Sequence, residues 1–272
     1  MPKRLTGDDK VITPYVLRYL EANPDWRLEP QYADLVVRLL SEEYQSRVRR
    51  FGGSSANSCE RAQLFGYIGV PGEQINDDML SMVFTDGKYR HVRWQILLLQ
   101  SGAVTDVEYQ LYNEVLRVGG KADAIGEDFG VEIKGTRNIE PAWADARWQH
   151  KMQSHRYMLA SNGRFRRWVY IYEDKATQEW VEHVTYWEDE VGEEVLGELI
   201  RLNEARKTKA LPVVKPRCEQ RRGLEYEECA YHQWCNGITG WGQALRFAKT
   251  GRITLAKPER RRLPRNPNIP PE

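Results

Sequence analysis

The sequence predicts an α/β fold with a mixed central sheet flanked by helices. Runs rich in Val, Ile, Tyr and Trp recur at about 107–113, 115–125, 131–134, 167–172 and 180–186, the composition of strands. Helical patterns separate them, and the order helix, three strands, helix, strand places helices on the faces of one sheet. No Gly-x-x-x-x-Gly-Lys-[Ser/Thr] loop occurs in that order, so the chain is not expected to hydrolyse nucleotides by itself.

Taken in order, residues 1–30 are turn-rich and weakly patterned. Residues 31–50 read as an amphipathic helix with Leu35, Val36, Leu39 and Leu40 on one stripe. The break Gly52-Gly53-Ser54-Ser55 is followed by Ser58-Cys59-Glu60-Arg61, which reads as the start of a helix running to about Tyr67. A further helix is expected over 86–100, a long one over 142–160, and a last one over 190–207. No internal repeat is visible.

The chain has 272 residues, 41% hydrophobic and 29% charged, a composition suited to one large domain with elaborations. No run approaches the roughly 18 consecutive apolar residues of a membrane span. The start, Met1-Pro2-Lys3-Arg4-Leu5, lacks a signal-peptide core, so a cytoplasmic protein is expected. The net charge of +1 hides an uneven distribution. Between Arg246 and Arg265 eight basic residues face the single acid Glu259, in a stretch that reads either as a solvated Pro-rich tail or as a DNA contact.

The chemistry concentrates between Gly120 and Lys134. Two short strands flank a Gly-containing turn, and folding them about Glu127-Asp128 sets Asp123 opposite Glu132. Lys134, two residues beyond, shares that face, while Val131 and Ile133 point into a core. Two carboxylates beside an amine suit Mg²⁺ or Mn²⁺, with the Ile133 carbonyl placed to add a further oxygen. A metal there would promote attack of water on a phosphodiester, with Lys134 orienting or deprotonating that water. The plainer alternative is a solvated strand face of alternating charge.

Two other features bear on that choice. His91 shares a helical stripe with Trp94 and Leu98, as a core histidine or as a ligand. Gln149, Gln153 and Tyr157 fall at four-residue steps along the expected long helix, which alone would read as a solvent-facing polar row.

Taken together, His91, Gly120-Lys121-Ala122-Asp123, Glu132-Ile133-Lys134 and Gln153-Ser154-His155-Arg156-Tyr157 resemble the ordered motifs of the RecB-like branch of the PD-(D/E)XK nuclease superfamily. The resemblance implies a restriction-endonuclease-like core, with His91, Asp123 and Glu132 as metal ligands, Lys134 as the catalytic lysine, and Gln153 and Tyr157 as the supporting pair. Ala122 stands where the superfamily's name has proline, a residue this branch commonly lacks. The resemblance spans roughly residues 54–235. It divides the chain into an N-terminal helical extension (1–53), a nuclease domain (54–240) and a basic, Pro-rich tail (241–272).

The four cysteines are Cys59 and, late in the chain, Cys218, Cys229 and Cys235. Cys218 lies in a charged segment that would make a poor core, and a four-thiolate site accepts ligands distant in sequence. One early and three late cysteines resemble the iron–sulfur exonucleases of CRISPR adaptation systems and the AddB-type recombination nucleases. In them a [4Fe–4S] cluster pins the C-terminal segment back onto the helix preceding the core. The gap between Cys218 and Cys229 is longer than that pattern, and zinc on four cysteines is the alternative. Arg61 echoes the family's arginine two residues after the early cysteine, as a phosphate contact or a local cap.

The function implied is a Mg²⁺- or Mn²⁺-dependent DNA exonuclease acting on single-stranded ends. A histidine ligand makes Mn²⁺ at least as good as Mg²⁺. Trp143, Trp148 and Tyr157 are candidates to stack on bases or to pack ordinarily. The alternative is a DNA-binding module of a CRISPR-adaptation or recombination complex. DNA is the expected partner, beside a recombination or adaptation protein and a homo-oligomeric copy, and no membrane is expected.

Overall fold

The strand at Arg167–Asp174 (β5) is buried on both faces, and the sheet is built around it. Trp168, Tyr170 and Tyr172 enter one core while Val169 and Ile171 enter the other, the alternation that a pleated strand imposes. A strand covered on both sides must be apolar throughout, which is why this segment reads as a continuous run of Val, Ile and aromatics. The computed structural model describes residues 10–41, 49–56, 58–72, 78–137, 139, 146–214 and 229–252, with the backbone alone at 78–81.

Around β5 stand β1 (Phe51–Gly52), β2 (Asp106–Asn113), β3 (Val118–Ile125), β4 (Phe129–Thr136) and β6 (Trp180–Tyr186). The sheet runs β1-β3-β4-β5-β6, with β2 also paired to β3. β4 and β5 are parallel, as are β1 and β3, and the other pairs are antiparallel. The sheet is therefore mixed and lies between helices, as expected.

Helices α3 (Glu60–Ile68), α5 (Trp148–Ala160) and α6 (Asp189–Thr208) cover one face. On the other lie α1 (Thr13–Ala22), α2 (Ala33–Ser41) and α4 (Asp78–Gln100). The short α7 (His232–Cys235) and α8 (Trp241–Thr250) complete the first face, with Cys235, Ala244 and Phe247 in its core. No helix among the described residues is long and apolar enough to cross a membrane.

Several elements differ from expectation for identifiable reasons. Residues 13–22 form a helix instead of turns, and its N-terminus is satisfied from far away. The Glu182 carboxylate accepts the N–H groups of Val11 (2.6 Å), Ile12 (3.2 Å) and Thr13 (2.8 Å). A carboxylate on exposed helix-terminal amides is favourable, but its position about 170 residues along the chain leaves no local signature. α4 begins at Asp78 instead of 86 and runs through Gly87, where Arg90 pairs with Asp86 one turn earlier (2.9 Å). β3 begins at Val118 because Asn113 Oδ1 accepts the Leu116 N–H (3.0 Å) and Arg117 takes a positive φ of 53°, closing a turn.

α2 ends at Ser41, and residues 42–48 of the expected helix lie outside the described residues, as do 142–145 at the start of the expected long helix and 253–272 of the tail. Trp241–Thr250, read from sequence as the start of that tail, is a packed helix. Phe51 and Gly52, read as part of an extension, form a strand of the sheet.

Candidate active site at the β3–β4 hairpin

β1 and β4 share one edge of β3. β1 pairs at Val118 and Gly119, β4 only at Ala124 and Ile125, and the ladder stops there. Continuing the Ala124–Val131 register brings Asp123 opposite Glu132, where side chains take over from backbone. Asp123 Oδ2 accepts the Ile133 N–H at 2.7 Å, and Oδ1 lies 3.2 Å from His91 Nδ1. Gln95 Nε2 donates to the Asp123 carbonyl (2.9 Å) and to Glu108 Oε1 (2.7 Å). Glu108 itself holds a positive φ of 55° on β2, an unusual conformation for a residue with a side chain.

Glu132 is buried. Its Oε1 accepts Lys134 Nζ (2.7 Å) and Gln153 Nε2 (2.8 Å), while Oε2 is buried with no hydrogen-bond partner. Gln153 Oε1 accepts from Lys134 Nζ (3.1 Å), and its Nε2 also donates to the Tyr157 hydroxyl (3.0 Å). One amide thus joins acid, amine and phenol. α5 delivers Gln153 and Tyr157 on one face, four residues apart. Gln149, one turn earlier, is exposed.

Burial and the neighbouring Asp123 charge push the Glu132 carboxyl up to about 7, against the pull of Lys134. Burial works against charge on Asp123 too, but His91, the Ile133 N–H and Lys134 outweigh it and hold the pKa low. Burial likewise opposes charge on His91 and on Lys134, but the two carboxylates prevail and raise both. Burial and the Glu132 charge keep Tyr157 a neutral phenol.

The Ile133 side chain is buried in the core, and its N–H is taken by Asp123. Among the described residues no three His, Cys, Asp or Glu side chains gather tightly enough to hold a metal. Instead, the acids pair with His91 and Lys134.

The other motif residues serve the scaffold. His155 Nε2 accepts the Glu188 N–H (2.9 Å) and Nδ1 lies 2.7 Å from the Lys151 carbonyl, so the ring is the Nδ1–H tautomer bridging two backbone groups. Arg156 is fully buried and donates to Gly52 O (2.8 Å), Gln63 Oε1 (2.8 Å) and Glu198 Oε2. Of the residues proposed to stack on bases, Tyr157 is buried, Trp148 is half-exposed and Trp143 lies outside the described residues.

Cys59, Cys229 and Cys235 lie within electrostatic reach of one another, and Cys218 is outside the described residues. Cys59 caps α3, and Cys235 ends α7. Burial, with the nearby thiols, raises Cys235 to about 11 despite Arg61. Arg61 is buried and donates to the carbonyls of Pro212 (2.6 Å), Cys235 (3.2 Å) and Ile238. These three carbonyls make it a local cap of the segment that carries Cys235.

Sequence reasoning missed Gln95, Glu108, Gly53 and Gln63. Only the lone polar Gln95 within an apolar helical run hinted at a role.

No family model matches this chain, and no curated protein is matched. Among solved structures it is similar to SSO0001, with TM-score 0.44 and 16% identity over 73% of this chain and 92% of that one. It is also similar to the alkaline exonuclease LHK-Exo from Laribacter hongkongensis, with TM-score 0.44 and 14% identity over 60% of this chain and 90% of that one. LHK-Exo in complex with dAMP gives TM-score 0.40 and 12% identity over 60% and 90%. Such values describe a likeness of gross shape, and no activity passes across it.

Proposed function

We propose that this chain is a metal-dependent DNA exonuclease that hydrolyses phosphodiester bonds at single-stranded ends. The observation that carries the reading is Glu132 Oε2, buried and without a partner beside Asp123, His91 and Lys134. A buried carboxylate oxygen left unpaired is costly; a proton would satisfy it, as the raised pKa reflects, and so would a divalent cation. His91, Asp123, Glu132 and the Ile133 carbonyl would hold Mg²⁺ or Mn²⁺. When bound, the ion supplies Lewis acidity toward a phosphoryl oxygen.

The chain's own groups divide the remaining work. Lys134, held by Glu132 Oε1 and Gln153 Oε1, would act as a donor toward phosphate or the attacking water, or take that water's proton. Gln153 fixes where Nζ points, and the Tyr157 hydroxyl fixes Gln153. Asp123 is positioned by the Ile133 N–H and by His91, and a metal would have to replace the direct His91 contact at Oδ1.

Cys59, Cys229 and Cys235, with Cys218, would hold a [4Fe–4S] cluster that staples residues 229–252 to the start of α3. The electrostatic reach of the three described thiols on one another supports this reading.

The test is digestion of end-labelled single-stranded DNA with Mn²⁺ or Mg²⁺. The expected result is digestion by the wild type and its loss in Asp123→Ala and Lys134→Ala variants that retain the wild-type circular dichroism spectrum. Equal digestion by wild type and variants would overturn the assignment.

A further inference from the structure

Beyond Lys134 the strand continues as Gly135-Thr136, and two cations flank that step. Lys175, just past the end of β5, is bound through its backbone N–H to the Thr136 carbonyl (2.9 Å). Its Cε lies 3.0 Å from the point a Cβ on Gly135 would occupy. Arg147, at the entrance to α5, reaches across to donate from its guanidinium to Thr136 Oγ1 (3.0 Å). Both side chains are exposed, and among the described residues neither makes an ion pair.

Among the described residues the nearby acids are engaged elsewhere. Glu173 is taken by Arg90, Arg93 and the Trp94 indole, and Asp174 Oδ1 by the N–H groups of Ala176 and Thr177. The C-terminal ends of the parallel pair β4–β5 therefore present a positive step one to two residues beyond the amine of the candidate site. In open α/β sheets this end is where ligands bind.

We propose that Lys175 and Arg147 form a phosphate-binding subsite for the nucleotide adjoining the scissile one, so that the polynucleotide backbone leaves the site over Gly135 and Thr136. This rests on the nuclease reading. A strand running past Lys134 in this direction carries a phosphate at each nucleotide, and a lysine and an arginine on either side of a side-chain-free step let it approach the sheet. Gly135 matters for that reason, since a methyl group there would displace the Lys175 stem and stand 2.9 Å from Arg90 Nη1. The Lys175 stem is flexible, whereas Arg90 is buried and paired with Glu173 and Asp86, so Gly135→Ala is compared at a melting temperature equal to the wild type's.

The experiment is fluorescence anisotropy of the full chain with a labelled single-stranded oligonucleotide in EDTA, over a range of KCl concentrations. The panel is wild type, Lys175→Gln, Arg147→Gln, Gly135→Ala and the charge-matched control Lys207→Gln, an exposed lysine at the end of α6. Each single-strand phosphate contact adds about 0.7 to the slope of log Kd against log salt, which is about fivefold in affinity at a tenth of molar salt. Lys175→Gln and Arg147→Gln are each expected to weaken binding by that amount and to flatten the slope by about 0.7. Gly135→Ala is expected to weaken binding in the same direction, and Lys207→Gln to leave the slope at its wild-type value. Slopes for Lys175→Gln and Arg147→Gln equal to the control overturn the subsite and leave the nuclease reading to the digestion assay. A wild type that binds no oligonucleotide likewise overturns the subsite, and the nuclease reading is decided by the digestion assay.

Discussion

The Tyr157 ring lies against Gly120 so closely that a Cβ there would stand 2.4 Å from its Cε1. A Cβ on Gly53 would stand 2.1 Å from the same ring atom. The ring thus fills the space left by two glycines beside β3, and its hydroxyl is then aimed at Gln153. Gly120→Ala is expected to destabilise the fold by about 1–3 kcal/mol, the usual range for overpacking. A urea midpoint unchanged by Gly120→Ala would contradict that contact. Shortening the ring in a Tyr157→Leu background should recover part of the loss, a coupling that a double-mutant cycle reads directly.

Gln153 is the joint between acid, amine and phenol. Gln153→Leu keeps the volume but releases Lys134 Nζ and one proton donor to Glu132 Oε1. If the chain is a nuclease, digestion should fall by about 10- to 100-fold, as when partners of metal ligands are removed. The urea midpoint should move much less than the rate. An unchanged rate would remove Gln153 from the site's working parts.

Much of this arrangement was legible in the sequence because strand periodicity is strict. Once Val131 and Ile133 belong to a core, Glu132 and Lys134 must share the opposite face, and the turn at Glu127-Asp128 determines what opposes them. What escaped notice depends on partners without a local signature. Glu182 caps α1 from β6, Gln95 grips the backbone of Asp123 from the middle of an apolar helix, and Gly53 makes room for a ring that arrives from α5. The helix at Trp241–Thr250 was obscured by the basic composition that begins within it. Its buried Ala244 and Phe247, three residues apart, are too few to stand out.

Arg156 tests how the site is braced. Its guanidinium joins Gly52 of the β1 loop, Gln63 of α3 and Glu198 of α6 in a buried network. Arg156→Met leaves Glu198 without its cation, and removing one partner of such a pair costs about 3–5 kcal/mol. Replacing both, Arg156→Met with Glu198→Met, should recover much of that loss, because the stranded charge is gone. If urea denaturation shows the double variant to be no more stable than the single one, the stranded charge is not the cause.

His150 carries the clearest pH dependence. Its Nδ1 lies 2.7 Å from the Tyr172 hydroxyl, and burial, helped by the charges of Lys134 and Arg147, lowers its pKa from 6.5 to about 4. A depressed histidine means that the unfolded chain binds the extra proton, so its contribution is present above 6.5 and is lost as pH falls toward 4. Comparing wild type with His150→Gln isolates it from Glu132, whose raised pKa acts in the opposite sense over 4.5 to about 7. The gap between their urea midpoints should narrow on acidification from pH 7 to 4. A constant gap would show that His150 takes up its proton equally in both states.

The cysteine neighbourhood makes the last prediction. Cys59, Cys229 and Cys235 lie within electrostatic reach of one another, and burial raises Cys229 and Cys235 against ionisation. A cluster or zinc ion would reverse that balance, because metal-bound sulfur is thiolate. Purified without oxygen, the full chain should be brown and contain iron and acid-labile sulfide in equal amounts, whereas zinc would leave it colourless. Cys235→Ser should lose the colour and lower the melting temperature, since α7 and α8 are held to α3 partly through that segment. Arg61→Met separates the two contributions. It removes the guanidinium from the carbonyls of Pro212, Cys235 and Ile238 while leaving every thiol in place. It should therefore lower the melting temperature and keep the iron. Loss of iron in Arg61→Met at full stability would mean that the arginine serves the thiols and not the backbone they stand on.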